Sequence, residues 1–174
     1  GERHCRRVRL DSAGRCGGLA TRPTWILGAA HAASHVNLAS WDDITVSPCA
    51  RTGPAAFGRA GVTIDDIDVS QLYDSFTSTL LLTLEGLGYC GPGEGGPFVA
   101  DGRLRPGGSL PVNTDGGGLA ACHPGMRGMF LLVEAVRQLR GEAGERQVPD
   151  AELACVNATG GFFSAVSTMV LGRG

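Results

Sequence analysis

The chain has 174 residues, 43% of them hydrophobic, and a formal net charge of −2. That length suits one domain with enough apolar material for a core, and so little charge gives no basic face for nucleic acid. No apolar run approaches the length of a membrane span, and no secretory leader is recognisable in Gly1–Arg7, so a cytoplasmic protein with reduced thiols is expected.

Residues 1–21 are rich in arginine and glycine, carry no period, and are expected to be a disordered or partner-dependent lead-in to a domain over 22–174. The apolar run Thr24–Ala29 suits a buried strand, and residues 30–47 are weakly patterned and read as loop. Pro48–Ala60 reads as a helix that stops at Gly61, a residue suited to a left-handed cap. Asp68–Leu72 predicts a strand leading into Tyr73. Thr77–Leu87, with leucines at 80, 81, 82, 84 and 87, predicts a helix buried on most sides and ended by Gly88. Glycine, proline and charge over 90–109 predict a loop. Pro111–Asn113 reads as a short strand. Gly125–Arg140 reads as a helix with Met129, Leu132, Val133, Val136 and Leu139 on one face. Glu152–Ala158 and Phe162–Leu171 read as a closing hairpin around Thr159-Gly160-Gly161. Strands alternating with helices, followed by a hairpin, predict an α/β layer with a mixed central sheet and helices on its faces.

Several chemistries are excluded. The sequence contains no lysine, so it offers neither a Schiff-base amine nor a P-loop. Cysteines at 5, 16, 49, 90, 122 and 155 contain no C-x-x-C pair, so neither a zinc site nor a disulfide framework follows from their spacing. His31 and His35 are four apart and could share a helical face, but with no third ligand nearby they read as ordinary polar residues, and no metal is expected. Gly91–Gly96 formally fits G-x-G-x-x-G. It follows a helical pattern rather than a strand, and Pro92 and Glu94 would crowd a phosphate, so it reads as a turn-rich loop.

The most informative stretch is Val112–Gly128. An apolar lead-in ends at Asn113, glycines occupy 116–118, and His123 precedes Pro124 before an apolar run begins. Glycine lets backbone turn tightly and approach a ligand, and Pro124 suits a first helical turn. The imidazole of His123 can take or give a proton near neutral pH. This arrangement resembles the thiolase superfamily, in which an Asn-x-x-Gly-Gly loop runs into Gly-His-Pro before a helix, and in particular its lipid-transfer branch related to the thiolase part of sterol carrier proteins. Two further blocks agree in order: Gly61–Thr77, with its Asp-Asp-Ile-Asp and Tyr73-Asp74-x-Phe76, and Asn157–Ala165, with Gly160-Gly161.

The resemblance implies the C-terminal half of a thiolase-like fold that handles a coenzyme A thioester as substrate, with no further cofactor. Registering the family's second reactive cysteine on Gly160-Gly161 puts Ala158 in its place, while Cys155 would point to the other sheet face as a buried thiol. No residue matches the motif of the acyl-accepting cysteine, which the family carries in its N-terminal half.

The expected activity acts on a carbon–carbon bond next to a thioester, as a retro-aldol lyase or an acyltransferase of lipid or sterol side chains. His123 and Tyr73 would be catalytic, and Asn113, Gly117, Gly118, Gly160 and Gly161 would bind substrate. In particular, the Asn113 amide and the backbone of Gly116–Gly118 would polarise the thioester carbonyl. Asp74 is expected to cap the helix that starts near Ser75. The competing class is a non-catalytic subunit that binds an acyl chain or a partner. Expected partners are an acyl-CoA, a second copy of the chain, and a complementary N-terminal-half or accessory chain.

Overall fold

The computed structural model describes residues 10–15, 20–121 and 125–174. His123, most of the expected lead-in before residue 10, and residues 16–19 lie outside the described residues. The elements are β1 (Thr24–Ala33), α1 (Cys49–Ala60), β2 (Val69–Leu72), α2 (Thr77–Leu87), α3 (Gly95–Ala100), α4 (Gly117–Ala120), α5 (Arg127–Arg140), β3 (Leu153–Gly160) and β4 (Ala165–Arg173). The sheet runs β1-β4-β3-β2. β2 is parallel to β3, while β4 is antiparallel to β3 and to β1. A lone parallel bridge from Ser70 to Val112 adds the Pro111–Asn113 segment beyond β2, so the expected short strand is present in rudiment. The sheet is mixed, as expected.

Alternation along each strand divides the core in two. Leu72, Cys155, Val166 and Val170 pack against Cys49, Ala56 and Phe57 of α1 and Leu84 and Leu87 of α2. Val69, Ala154, Val156 and Leu171 pack on the other face against Leu131, Ala135 and Leu139 of α5. Helix α1 ends where its sequence says it should: Gly61 adopts φ 70° and its N–H reaches the carbonyls of Phe57 and Gly58. It lies close against β1, because a Cβ on Gly28 would stand 2.1 Å from the Ala56 carbonyl oxygen.

Four expectations are corrected. The 90–109 segment contains α3, whose start is held by Glu85 Oε1 accepting from Gly95 N at 2.9 Å. In α5 the fully buried positions include Arg127, Glu134 and Gln138 beside Leu131, Ala135 and Leu139, whereas Met129 is exposed. An apolar stripe alone misplaced that face because the helix buries partnered polar groups. His31 lies on β1 rather than a helix, with Nδ1 2.8 Å from Ser167 Oγ on β4. The hairpin turn extends to Ser164, whose N–H donates to the Gly160 carbonyl at 3.1 Å. Positive φ at Gly161 and Phe163 lets that turn close tightly.

Candidate active site

The parallel segments around β2 and β3 run in one direction, and their carboxyl ends meet at one edge of the sheet. In open α/β sheets this is where ligands bind. The register pairs Leu72 with Asn157, so Tyr73 leaves the sheet beside Ala158, and its N–H donates to the Asn157 carbonyl at 2.9 Å. A Cβ on Gly128, in the first turn of α5, would stand 3.1 Å from the Ala158 Cβ. The start of α5 therefore packs on this same edge.

Asn113 enters the edge from the bridged segment. Its N–H donates to the Ser70 carbonyl at 2.9 Å, and its Oδ1 accepts from Leu72 N at 2.7 Å. Its φ of 51° is left-handed, a region asparagine tolerates better than most side chains. With Oδ1 engaged, the amide has one orientation, and among the described residues no acceptor pairs with Nδ2.

The next two side chains are anchored as well. Thr114 Oγ1 donates to Glu134 Oε1 at 2.8 Å and accepts from Gln71 Nε2 at 3.0 Å and Gln138 Nε2 at 2.9 Å. Glu134 is 1% exposed and accepts from Arg146 Nη2 at 3.0 Å, a bond that raises the Arg146 guanidinium above its usual range. Asp115 Oδ1 accepts from Gly117 N at 3.0 Å and from the buried Arg127 Nη2 at 2.8 Å.

Asp74 does not cap α2, whose N-cap position is Phe76. Its buried carboxylate instead takes the N–H groups of Gly118 at 2.7 Å and Leu119 at 3.2 Å, across the turn. Gly117 has φ 72°, and a Cβ there would stand 2.2 Å from Asp74 Oδ2, so only glycine fits. The backbone donors of the glycine run are thus taken: Gly116 N by the Asn113 carbonyl, Gly117 N by Asp115 and Gly118 N by Asp74. Gly117 and Gly118 shape the turn, and of the expected carbonyl-polarising donors, Asn113 Nδ2 is the one left for a ligand.

An open cleft of about 380 Å³ lies here, with Asn113 and Asp74 lining it beside apolar walls from Leu80, Leu104, Val112 and Leu119. Tyr73 is half-buried at this edge. Burial raises its phenol above the usual range and the charge of Asp74 raises it further, while Arg127 opposes the shift. It is therefore a protonated donor at neutral pH.

Gly160 and Gly161 end β3 at the same edge, but their turn leans on the 34–41 segment, where His35 Nε2 lies 3.0 Å from the Phe162 carbonyl oxygen and Trp41 meets the Phe163 ring. Cys155 faces the α1 side, fully buried, and burial pushes its thiol up to about 12. Burial also raises Cys49 and Cys90. None of these thiols is an activated nucleophile.

The structure brings Asn113, Gly117 and Gly118 together around Asp74, while Tyr73 packs toward the α5 side, and sequence reasoning misses the supports Gln71, Thr114, Asp115, Arg127, Glu134 and Gln138. A signal existed, since Arg127, Glu134 and Gln138 recur at helical spacing along one side of α5. Among the described residues, no group of three His, Cys, Asp or Glu is placed to hold a metal ion, and no helix is long and apolar enough to cross a membrane.

Residues 30–173 match the family model described as "Thiolase C-terminal domain-like". The chain is 36% identical to an acetyl-CoA acetyltransferase of Methanothermobacter thermautotrophicus over 87% of its own length and 40% of the relative's. It is 40% identical to the 17-hydroxy-3-oxo-4-pregnene-20-carboxyl-CoA lyase of Mycobacterium tuberculosis over 69% of its length and 30% of the relative's. Among solved structures, the "Ltp2-ChsH2(DUF35) aldolase" superposes with a TM-score of 0.80 at 35% identity, over 90% of this chain and 41% of that one. The chain thus spans less than half the length of these relatives.

Proposed function

Because the chain belongs to the thiolase C-terminal domain-like family, in the lipid-transfer branch whose relatives include sterol carrier protein 2, we propose that it is the C-terminal half of an enzyme acting on a carbon–carbon bond beside a coenzyme A thioester. The observation that carries this reading is the Asn113 amide, oriented by Leu72 N and opening on an apolar cleft at the edge where Tyr73 stands. A retro-aldol cleavage fits best. Ala158 stands where a thiolase would carry its second cysteine, and the lyase and aldolase relatives bear names of that chemistry. His123 removes the proton of a β-hydroxyl, the bond between the α and β carbons breaks, and a carbonyl forms at the β carbon. The electron pair passes to the thioester as an enolate, whose oxygen accepts from Asn113 Nδ2, and Tyr73 delivers the proton to the α carbon.

The reaction needs a complement supplying the other half of the fold, either in one polypeptide or as a partner chain, as the paired name of the aldolase neighbour indicates for that protein. Dimerisation and a cytoplasmic setting belong to the same proposal. The acetyltransferase relative favours simple acyl transfer as a second reading.

The test is β-hydroxyacyl-CoA cleavage by the complemented protein. His123→Ala should lower turnover about 100-fold or more, the scale of a lost general acid–base, with unchanged thermal stability. Tyr73→Phe keeps the ring and should depress cleavage while leaving substrate binding nearly intact. Near-normal turnover in both variants overturns the assignment. Acyl transfer without cleavage in the parent selects the second reading, and acyl-CoA binding with neither activity marks a binding subunit.

A further inference from the structure

Two carboxylates, not one, are spent on the turn that follows Asn113. Asp115 takes the N–H of Gly117, and Asp74 takes those of Gly118 and Leu119. Asp74 is 4% exposed, so little water screens it. Two carboxylates drawn to one turn repel each other unless a cation stands near.

That cation comes from the first residue of α5. Arg127 is 5% exposed, and its Nη2 donates to Asp115 Oδ1 at 2.8 Å. Its Nε and Asp74 Oδ1 both lie near Gly118, 3.8 and 3.0 Å from where a Cβ there would stand. Among the described residues, no other cation is paired with either carboxylate. Among the described residues, Arg127 Nε is buried without a hydrogen-bond partner. Its Nη2 serves Asp115, while Nε, on the same edge of the guanidinium, faces the Gly118 side of the turn.

We propose that Arg127 is a positioning residue: by holding Asp115 and balancing Asp74 it sets the Asp115–Leu119 turn, and through that turn the direction of the Asn113 amide. This rests on the reading of Asn113 as the thioester-oxygen donor. Arg127 touches no reacting atom. Its removal frees Asp115 from α5, lets the Gly117 turn shift against Asp74, and loosens Asn113, whose carbonyl receives the Gly116 N–H at 2.8 Å.

The experiment is a double-mutant cycle in the complemented enzyme with Arg127→Gln and Asn113→Ala. Arg127→Gln should lower kcat by about tenfold or more with KM within about twofold, because a donor aimed at the developing oxyanion acts in the transition state. The double variant should be no slower than Asn113→Ala, since the arginine acts through the asparagine. An unchanged kcat in Arg127→Gln, or losses that multiply in the double variant, overturns the proposal. Should Arg127→Gln not fold, Asp115→Asn keeps an acceptor for Gly117 N while removing the charge that Arg127 holds. It should reproduce the kcat loss, and parental kcat there overturns the proposal.

A readout independent of activity separates this inference from the functional one. In the isotope-labelled chain, the Asn113 side-chain amide resonances should move in Arg127→Gln (or Asp115→Asn). Moved resonances in a protein whose parent cleaves and transfers nothing sink the functional reading but leave the positioning role standing. Unmoved resonances in an active protein sink the positioning role alone.

Discussion

On the side of the sheet covered by α1 and α2, the buried polar groups that join α1 to the sheet are neutral. Thr52 Oγ1 lies 2.7 Å from Thr168 Oγ1, Asn157 Nδ2 donates to Thr168 at 2.8 Å, and Cys49 Sγ donates to Asn157. On the α5 side charged groups join the neutral Gln71, Thr114 and Gln138: buried Glu134 pairs with the more exposed Arg146, and buried Arg127 with the partly exposed Asp115. Neutral pairs are cheap to bury, whereas ion pairs lose hydration that their attraction only partly returns. The charged network therefore has little reason to exist as filler. Both ion pairs reach the Asn113–Leu119 turn, through Thr114 and Asp115, and the neutral network touches nothing there. Polar burial on one side completes a core, and on the other it aims a loop.

Glu134→Ala should break that contrast most visibly. It leaves Thr114, Gln138 and Arg146 without their shared acceptor, and stability should fall by about 2 kcal/mol, the scale of buried donors left without an acceptor. Cleavage should fall with it, because Thr114 is released. Denaturant midpoints and turnover measured on one preparation would check both, and a loss of stability with parental turnover would dissociate the network from the site.

Thr52→Val is the counterpart on the neutral side. It removes one hydrogen bond at nearly constant volume and should cost about 1 kcal/mol, leaving turnover per folded molecule unchanged. A cost equal to that of Glu134→Ala would erase the distinction between the two faces.

The smallest effect is a slope. The folded Cys155 thiol titrates at about 12 against an ordinary value of 9.0, so the native state holds its proton longer than the unfolded chain does. The stability it contributes is complete below pH 9.0 and is lost as pH rises through about 12. Tyr89, raised well above its ordinary value by burial, acts in the same direction. Unfolding measured across this alkaline range should give a shallower pH dependence for Cys155→Ala than for the parent. Identical slopes would place the thiol in contact with water.

Much of the frame was readable in the chain. Helix α1 with its Gly61 cap, helix α2 ending at Gly88, the strand before Tyr73 and the opposed faces of Cys155 and Ala158 all follow from local rules. The grouping of Tyr73 with Asn113 came from resemblance to a family and not from periodicity. Sequence distance alone points Asp74 at the start of α2, while its partners, Gly118 and Leu119, lie more than forty positions away. The buried side of α5 was misjudged for a related reason, since Arg127, Glu134 and Gln138 look solvent-facing until their partners are known.

By itself, then, the sequence determined most of the elements, the glycine-capped ends of α1 and α2 and the glycines that the turn requires, because φ preferences, caps and alternation act between neighbours along the chain. Only the tertiary structure decided which donors stay free. A hydrogen bond is settled by whichever partner packing brings within about 3 Å, and packing brought Asp74 and Asp115 to the glycine amides and Leu72 to the oxygen of Asn113, a residue that lines the cleft.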